Sequence, residues 1–337
     1  MKKKEILFLW DGENFNPNGD MLRENAPRID DETNIAEVTD VRIKRTIRDE
    51  IMKKDERRIF IKEYKKTLRD EKNNTTKDVV LDCKQAIKEV GIDVNKSKGE
   101  IVNEILSRFI DIRAFGGVLP ISEKQKSKKK GKDDDGSLAD EKESGANVTS
   151  VTFTGPVQFR MSKSLHRVQL KQIKGTGAFA SSYSETDVKL QKEQATFREE
   201  DFLSYAMFAT YGIFDNNNAK NTNFSEDDAR EILSALWNGT KNLITRSKMG
   251  QTPRFMLIIT YKDDTFAGDL NNSISLKSAK SDEAIRNIND YTIDFSNLNA
   301  KLQRYAQNIE KIEYVSDFDF EKNNKAGFGE SWQKIGL

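Results

Sequence analysis

The sequence predicts an α+β fold of the split βαβ kind, a modified ferredoxin-like or RNA-recognition-motif topology enlarged by insertions. Three observations predict it. A short apolar run at residues 5–11 is followed by an amphipathic helix and by the strand-like 58–64, which makes strand–helix–strand within residues 1–65. A long apolar element at 202–214 precedes a second amphipathic helix and the apolar run 254–261. Between these halves lie long polar stretches that a minimal version of the topology does not need.

Residues 5–11 (EILFLWD) read as a buried strand, ending in the turn-rich Gly-Glu-Asn-Phe-Asn-Pro-Asn-Gly-Asp. Thr39 or Asp40 then stands as a helix cap. At helical spacing Ile43, Ile47 and Ile51 form one stripe, and Arg42, Lys44, Arg45 and Arg48 fall across the opposite arc. The helix is therefore expected to pack by isoleucine and to present these cations outward. Residues 66–113 are polar, with helical periodicity at 79–90 and 101–110, and read as an inserted subdomain. Residues 114–120 return the chain to the body. The low-complexity 121–147 is expected to be a mobile, solvated loop, its lysine run offset by Asp133-Asp-Asp.

Residues 148–159 read as a strand, and Gly175 and Gly177 as a turn. The run 202–214 is a core strand. Ser225-Glu-Asp-Asp is a capping-box start. The helix behind it carries apolar residues at 3–4 spacing to Ile244, with Gly250 and Pro253 as its stop. Residues 254–261 make a strand that closes the second half, 202–262. The remainder, 263–337, is expected to pack on the body, with a helix at 297–312 and a strand at 313–318.

Composition excludes several classes. Of 337 residues, 33% are charged and 36% hydrophobic, and no apolar run approaches the roughly 18 residues of a membrane span. The opening residues lead straight into a strand pattern and lack the apolar stretch of a leader. One cysteine, Cys83, excludes a disulfide framework and fits a cytoplasmic setting. With His166 as the single histidine, the common zinc sites are excluded too.

Lys+Arg total 56 against 55 Asp+Glu, a net charge of +1, so any nucleic-acid surface must come from charge placement. The signs are in fact segregated. No acid lies between Glu143 and Glu185, a window holding Arg160, Lys163, Arg167, Lys171 and Lys174 with Phe153, Phe159, Phe179 and Tyr183 among them. A second acid-free window, 240–262, carries Lys241, Arg246, Lys248 and Arg254. Cations without neighbouring carboxylates bind phosphate, and aromatics among them can stack on bases. The aromatic RNP sequences of ordinary RNA-recognition motifs are missing, which argues against stacking of bases on the sheet face.

A catalytic set is not evident. His166, in Ser164-Leu-His-Arg, has no carboxylate nearby in sequence to orient it, and a structural or RNA-contact role is the better reading. Asp11, Asp20, Asp30, Asp31 and Asp40 could in principle hold Mg²⁺, but Asn16-Pro-Asn-Gly-Asp is first a turn signature. There is no P-loop, and Gly175-Thr-Gly-Ala opens no helix, so no cofactor is expected.

Several blocks in order carry a resemblance. Asn16-Pro-Asn-Gly-Asp, Pro27-Arg-Ile-Asp and Val38-Thr-Asp-Val-Arg-Ile-Lys-Arg-Thr-Ile-Arg-Asp resemble the N-terminal signature of the Cas-seven family, the CRISPR RNA-binding backbone subunits of Cascade-type surveillance complexes. Asp111-Ile-Arg-Ala-Phe-Gly, Thr154-Gly-Pro-Val-Gln, Ser164-Leu-His and Arg246-Ser-Lys-Met-Gly-Gln are similar to further blocks of its Csh-two and Csd-two branches, the former, of type I-B systems, being the closer.

The resemblance implies a modified RNA-recognition-motif palm with helical fingers and a protruding thumb, copies of which stack head to tail along a guide RNA. It implies no nuclease activity, no metal and no cofactor. The implied partners are the CRISPR guide RNA, target DNA through the complex, further copies of the chain, a large subunit, a Cas-five-type end cap and a guide-processing nuclease, with no membrane. By position, the helix bearing Arg42, Lys44, Arg45 and Arg48 matches the guide-binding helix, with Asn18 and Gly19 beside it. Arg246, Lys248 and Met249 match a second guide contact. The thumb is placed at 160–183, within a 148–201 segment, with Phe159 and Met161 as wedges and Arg160, Lys163, His166 and Arg167 beside the RNA. The alternatives are a metal-dependent endoribonuclease on the same fold and a monomeric single-stranded RNA-binding module.

Overall fold

The computed structural model describes residues 1–70, 75–120, 150–180 and 195–337, so the expected loop at 121–147 lies outside the described residues. The chain is α+β, built on a mixed sheet of nine strands. The central strand, β1 (Lys4–Phe15), opens the chain. A short hairpin of β2 (Gly19–Asp20) and β3 (Ala26–Pro27) follows, then β4 (Ile35–Val38) and helix α1 (Asp40–Asp55). Thr39 caps α1, its hydroxyl accepting from the Arg42 N–H at 3.3 Å, and Ile43, Ile47 and Ile51 are buried as their spacing predicts. Each such isoleucine contributes about 1.5–3 kcal/mol by leaving water.

Residues 58–64 are not a strand. Their alternation mimics one, but the N–H groups of Phe60 and Ile61 are taken by the buried carboxylate of Asp111, each at 2.9 Å, rather than by a sheet partner. The inserted subdomain is also less helical than expected. It begins with a hairpin, β5 (Lys65–Asp70) and β6 (Thr75–Val80), so Val79 and Val80 belong to a strand. Helices α2 (Cys83–Glu89), α3 (Lys98–Arg108) and α4 (Ile110–Phe115) follow. They enclose their own core, which includes Phe60, Ile87, Ile105 and Phe109. Strands β7 (Gly116–Pro120) and β8 (Ser150–Thr154) pair with each other.

β9 (Val157–Phe159), β10 (Ser162–Arg167) and β11 (Leu170–Ala180) all lie along one edge of β12 (Ala195–Phe214), whose other edge pairs with β1. The β1 ladder reaches only from Phe214 to Leu203. The first residues of β12 therefore run past the end of β1 with β11 as their partner, as a two-stranded ribbon. Gly175 and Gly177 are inside β11 and mark no turn.

Helix α5 (Asn216–Thr222) leads to α6 (Glu226–Lys241), which begins with the expected capping box: Ser225 and Asp228 exchange bonds at 3.0 Å each. α6 stops at Lys241, short of Ile244. A Cβ on Gly239 would lie 2.9 Å from the Thr46 carbonyl, so glycine is what lets α6 pack against α1. Strand β13 (Thr252–Tyr261) pairs with β1, and β16 (Ile309–Ser316) and β17 (Trp332–Lys334) complete the order β17-β16-β13-β1-β12-β10-β4. The expected C-terminal helix is short, α7 (Ser296–Arg304), because the chain turns at residues 305–308 into β16 (Ile309–Ser316). Phe318 opens α8 (Phe318–Asn324) instead of ending a strand, and β17 pairs in parallel with β16, the one parallel pairing among the described residues. A small hairpin, β14 (Ser275–Lys277) and β15 (Thr292–Asp294), precedes α7.

The two sheet faces are covered differently. α1 and α6 pack on the face of Ile6, Phe8 and Trp10. The C-terminal segment buries the opposite face, with Leu270, Tyr291, Phe295, Phe320 and Trp332 over Leu7, Leu9, Phe255 and Leu257. No described helix is long and apolar enough to cross a membrane.

Candidate nucleic-acid interface

Three segments meet at the N-terminal end of α1. The first is the loop after β1. The Asn18 carboxamide oxygen accepts from both the N–H and the hydroxyl of Thr39, each at 2.9 Å, and so ties this loop to the helix cap. A Cβ on Gly19 would fall 1.9 Å from the Asn25 side chain, so the turn closes only on glycine. The second segment is α1 itself, bringing Arg42. The third is the loop after α6: the Asn16 N–H donates to the Ser247 carbonyl at 2.7 Å, and the Lys248 ammonium donates to the Asn16 carbonyl at 3.2 Å. Residues 16–19, 42 and 246–249, distant in sequence, are thus neighbours.

Arg42 and Lys248 form no ion pair among the described residues. Burial, then the nearby Arg42, holds the Lys248 ammonium below its ordinary pKa. Burial likewise lowers Arg42, with Asp49 opposing and Arg45 adding to the shift. Two half-buried cations thus stand together without an ion pair among the described residues, Asp49 acting on Arg42 only from a distance. Met249 beside them is exposed.

The other three cations predicted on the outward arc of α1, Lys44, Arg45 and Arg48, are engaged. Arg48 donates to the fully buried Asp111 at 3.0 Å and lies 5.0 Å over the Phe115 ring. Lys44 bonds Asp40 and Gln158, each at 3.1 Å. Both sit on the flank of α1 that faces α4, so the expectation of an outward arc holds for Arg45 and not for them. Arg45 pairs with Asp49 at 2.6 Å on the surface, a contact worth little.

The 159–167 segment belongs to the sheet. Phe159 is 7% exposed, packs against Gly212 and is core. His166 is 2% exposed; its Nδ1 bonds the Arg167 carbonyl at 2.8 Å, its Nε2 accepts from the Met207 N–H at 3.4 Å, and burial lowers its pKa. Neither can act as a wedge from that position. Met161 is exposed. Arg160 pairs with Asp269, Lys163 with Glu37 at 3.2 Å, and Arg167 with Glu283 at 3.1 Å. The window is free of acids in sequence, yet carboxylates arrive from β4 and the C-terminal segment. Arg246 is held in the same way by Glu200, at 2.7 Å.

The acidic residues weighed as metal ligands have other tasks. Asp11 accepts from Arg254 at 2.9 Å and Tyr205 at 2.7 Å inside the core, and burial raises its pKa. Asp30 caps the N–H groups of Glu32 and Thr33, Asp31 pairs with Arg23, and Asp20 with Arg28. Among the described residues no group of three His, Cys, Asp or Glu side chains could hold a metal.

Sequence reasoning missed two buried carboxylates. Asp111 stands within a recognisable motif, but its partners, Arg48 and residues 60–61, are remote in sequence. Glu5 accepts from Tyr211, Tyr261 and the N–H groups of Ala267 and Gly268, anchoring the C-terminal segment. A glutamate within an otherwise apolar strand was the available signal.

The fold and site together are an α+β sheet with both faces covered and, where a helix N-terminus meets two loops, two cations without an ion pair among the described residues. The family model described as CRISPR-associated protein Cas7 matches residues 2–296, and the chain belongs to that family. It is 29% identical over 320 residues to the CRISPR-associated protein Cas7 of Haloferax volcanii, covering 94% of this chain and 87% of that one. Its fold is similar to a chain of a CRISPR RNA-guided surveillance complex in a pre-nicking state, with a TM-score of 0.54, 12% identity and coverage of 99% and 96%. A chain of a second CRISPR RNA-guided surveillance complex gives a TM-score of 0.50 at 11% identity, covering 99% and 95%.

Proposed function

We propose that this chain is a non-catalytic guide-RNA-binding backbone subunit of a Cascade-type surveillance complex, of subtype I-B, with several copies lying along one guide. The observation that carries the reading is the Arg42–Lys248 pair, without an ion pair among the described residues, on a fold whose similar chains stand in RNA-guided complexes. A backbone protein must hold any guide sequence, so phosphate contacts from a rigid helix suit it. Arg45 joins the pair by exchanging its surface partner for phosphate, and Asn18, Gly19 and Met249 shape the loops beside it.

The order β13-β1-β12-β10, with α1 and α6 on one face, supports a palm of the ferredoxin-like, RNA-recognition-motif kind. The β11–β12 ribbon, with Lys171, Ile173 and Lys174 exposed on it, supports a thumb that includes 170–180 and 195–202 rather than 160–167; residues 181–183 of the expected thumb lie outside the described residues. The hairpin and helices of 65–115 are the fingers. A non-catalytic role agrees with the internal partners of the aspartates that could otherwise hold Mg²⁺. Target DNA, the large subunit, the end cap and the guide-processing nuclease are reached through the assembled complex.

Expression with a CRISPR array and its neighbouring genes tests the proposal. The protein is expected to copurify with guide RNA of uniform length. Copurification with RNA of random length, or with none, contradicts it.

A further inference from the structure

The segments that carry the cation pair also carry aliphatic side chains turned to water. Of the seven large apolar residues with the most exposed surface among the described residues, five lie on these three segments. Met21 and Leu22, 90% and 95% exposed, sit at the tip of the β2–β3 hairpin. Val41 precedes Arg42 in the first turn of α1, and Ile244 and Met249 belong with Lys248 to the loop after α6. Only Val118 and Phe318 of the seven lie elsewhere. Single exposed aliphatic residues are ordinary on a protein surface, whereas several gathered in one region mark a contact.

The backbone beneath them is fixed. The Asp20 carboxylate accepts from the Leu22 N–H at 3.1 Å, and the Asp20 carbonyl accepts from the Asn25 N–H at 2.8 Å. Glu24 and Asn25 close the turn in left-handed conformation, which costs free energy for residues other than glycine. The hairpin is tied at its base to the α1 cap by the bonds from Thr39 to Asn18. In the third segment the N–H groups of Lys248 and Met249 both donate to the Thr245 carbonyl, at 3.1 and 2.8 Å. An aliphatic group fixed in water gains nothing from its position until an apolar surface covers it.

The neighbours select that surface. Cations beside an aliphatic rim suit a ligand that is anionic on one side and apolar on the other, and a nucleotide is built that way, with a phosphate and a base face. Met and Leu are among the side chains that proteins set against base steps. None of the five carries an N–H, hydroxyl or carbonyl in its side chain, so the rim meets the faces that all bases share and reads no base edge. Resting on the RNA-binding reading above, we infer that this rim packs against base faces of the strand whose phosphates lie on Arg42 and Lys248. It adds to the affinity a contribution independent of base sequence and of salt.

Fluorescence anisotropy over a series of salt concentrations tests it, with a labelled RNA of mixed sequence and an abasic oligomer of the same length and backbone charge. The wild-type protein is expected to bind the RNA about tenfold more tightly, on parallel log–log salt lines. Met21→Ser with Leu22→Ser, and Val41→Ser with Met249→Ser, should each weaken the RNA alone and bring the two affinities together with the slope unchanged. Arg42→Ala should weaken both oligomers and reduce the slope. The wild-type comparison needs no substitution and decides the matter even where a variant fails to fold. Equal wild-type affinities overturn the inference and leave RNA binding standing. So does an RNA preference that survives both pairs of substitutions; if those variants then place fewer copies on a long RNA, the rim contacts a neighbouring copy instead. Failure of the wild type to bind either oligomer overturns the RNA-binding reading and the rim with it.

Discussion

Arg42 and Arg48 lie on one helix and serve different ends. Arg48 neutralises Asp111, whose carboxylate in turn holds the 60–61 backbone. Arg48→Met should therefore cost about 3–5 kcal/mol, because it leaves a buried carboxylate unpaired. Urea unfolding reads this directly, and a loss under 1 kcal/mol would show the pair to be dispensable. Arg42 and Lys248 form no ion pair among the described residues. Their double alanine variant should keep wild-type stability while lowering RNA affinity for all sequences, and the log–log salt slope should shrink by roughly 0.7 per lost contact on a single strand. An unchanged slope removes them from the interface. His166 tests the core at this scale. Its folded pKa is depressed by burial, so below about pH 6.5 the unfolded chain takes up a proton that the folded chain does not, and stability falls as pH drops through that window. Unfolding at pH 7.5 and 5.5 should show a smaller difference for His166→Gln than for wild type; equal differences would mean that the imidazole is free to protonate in place.

At the scale of elements, the ribbon of β11 and the start of β12 is the part least supported by the sheet, since past Leu203 each strand has only the other. Replacing residues 171–201 with a short glycine-serine turn should leave the melting temperature within a few degrees and the affinity for a short RNA near normal, but reduce cooperative binding to a long one. Intact cooperativity would mean that contacts between copies arise elsewhere. Which elements could be read in advance follows from where their determinants lie. The isoleucine stripe of α1, the Ser225–Asp228 capping box and the apolar runs of β1 and β13 are local patterns, and they form where the sequence places them. The misreadings share a different cause. Residues 58–64 look like a strand until Asp111 occupies their N–H groups. Gly175 and Gly177 look like a turn until β12 extends alongside β11 and pairs Gly175 with Arg198. The cations of 160–167 look unpaired until Glu37, Asp269 and Glu283 arrive from other segments. Of the interface, the meeting of the 16–19 loop, α1 and the 246–249 loop was legible through the family resemblance. The separation of Arg42 and Lys248 from their engaged neighbours was not, because it depends on tertiary partners.

For the whole molecule, the covered sheet faces and the near-neutral charge belong to the same account. α1 and α6 cover one face and the C-terminal segment the other, and the proposed RNA path therefore runs along the loops and the helix end. A net charge of +1 lets copies lie side by side, since mixed-sign flanks do not repel as strongly basic ones would. Assembly templated by RNA is thus the central claim, and mass is its most direct measure. The protein of 38.5 kDa should be mixed with RNAs of increasing length and the complexes weighed by native mass spectrometry. The account predicts one added protein mass for each fixed increment of nucleotides, and a single copy without RNA. One copy on every RNA regardless of length, or multimers of the same size with and without RNA, would contradict it.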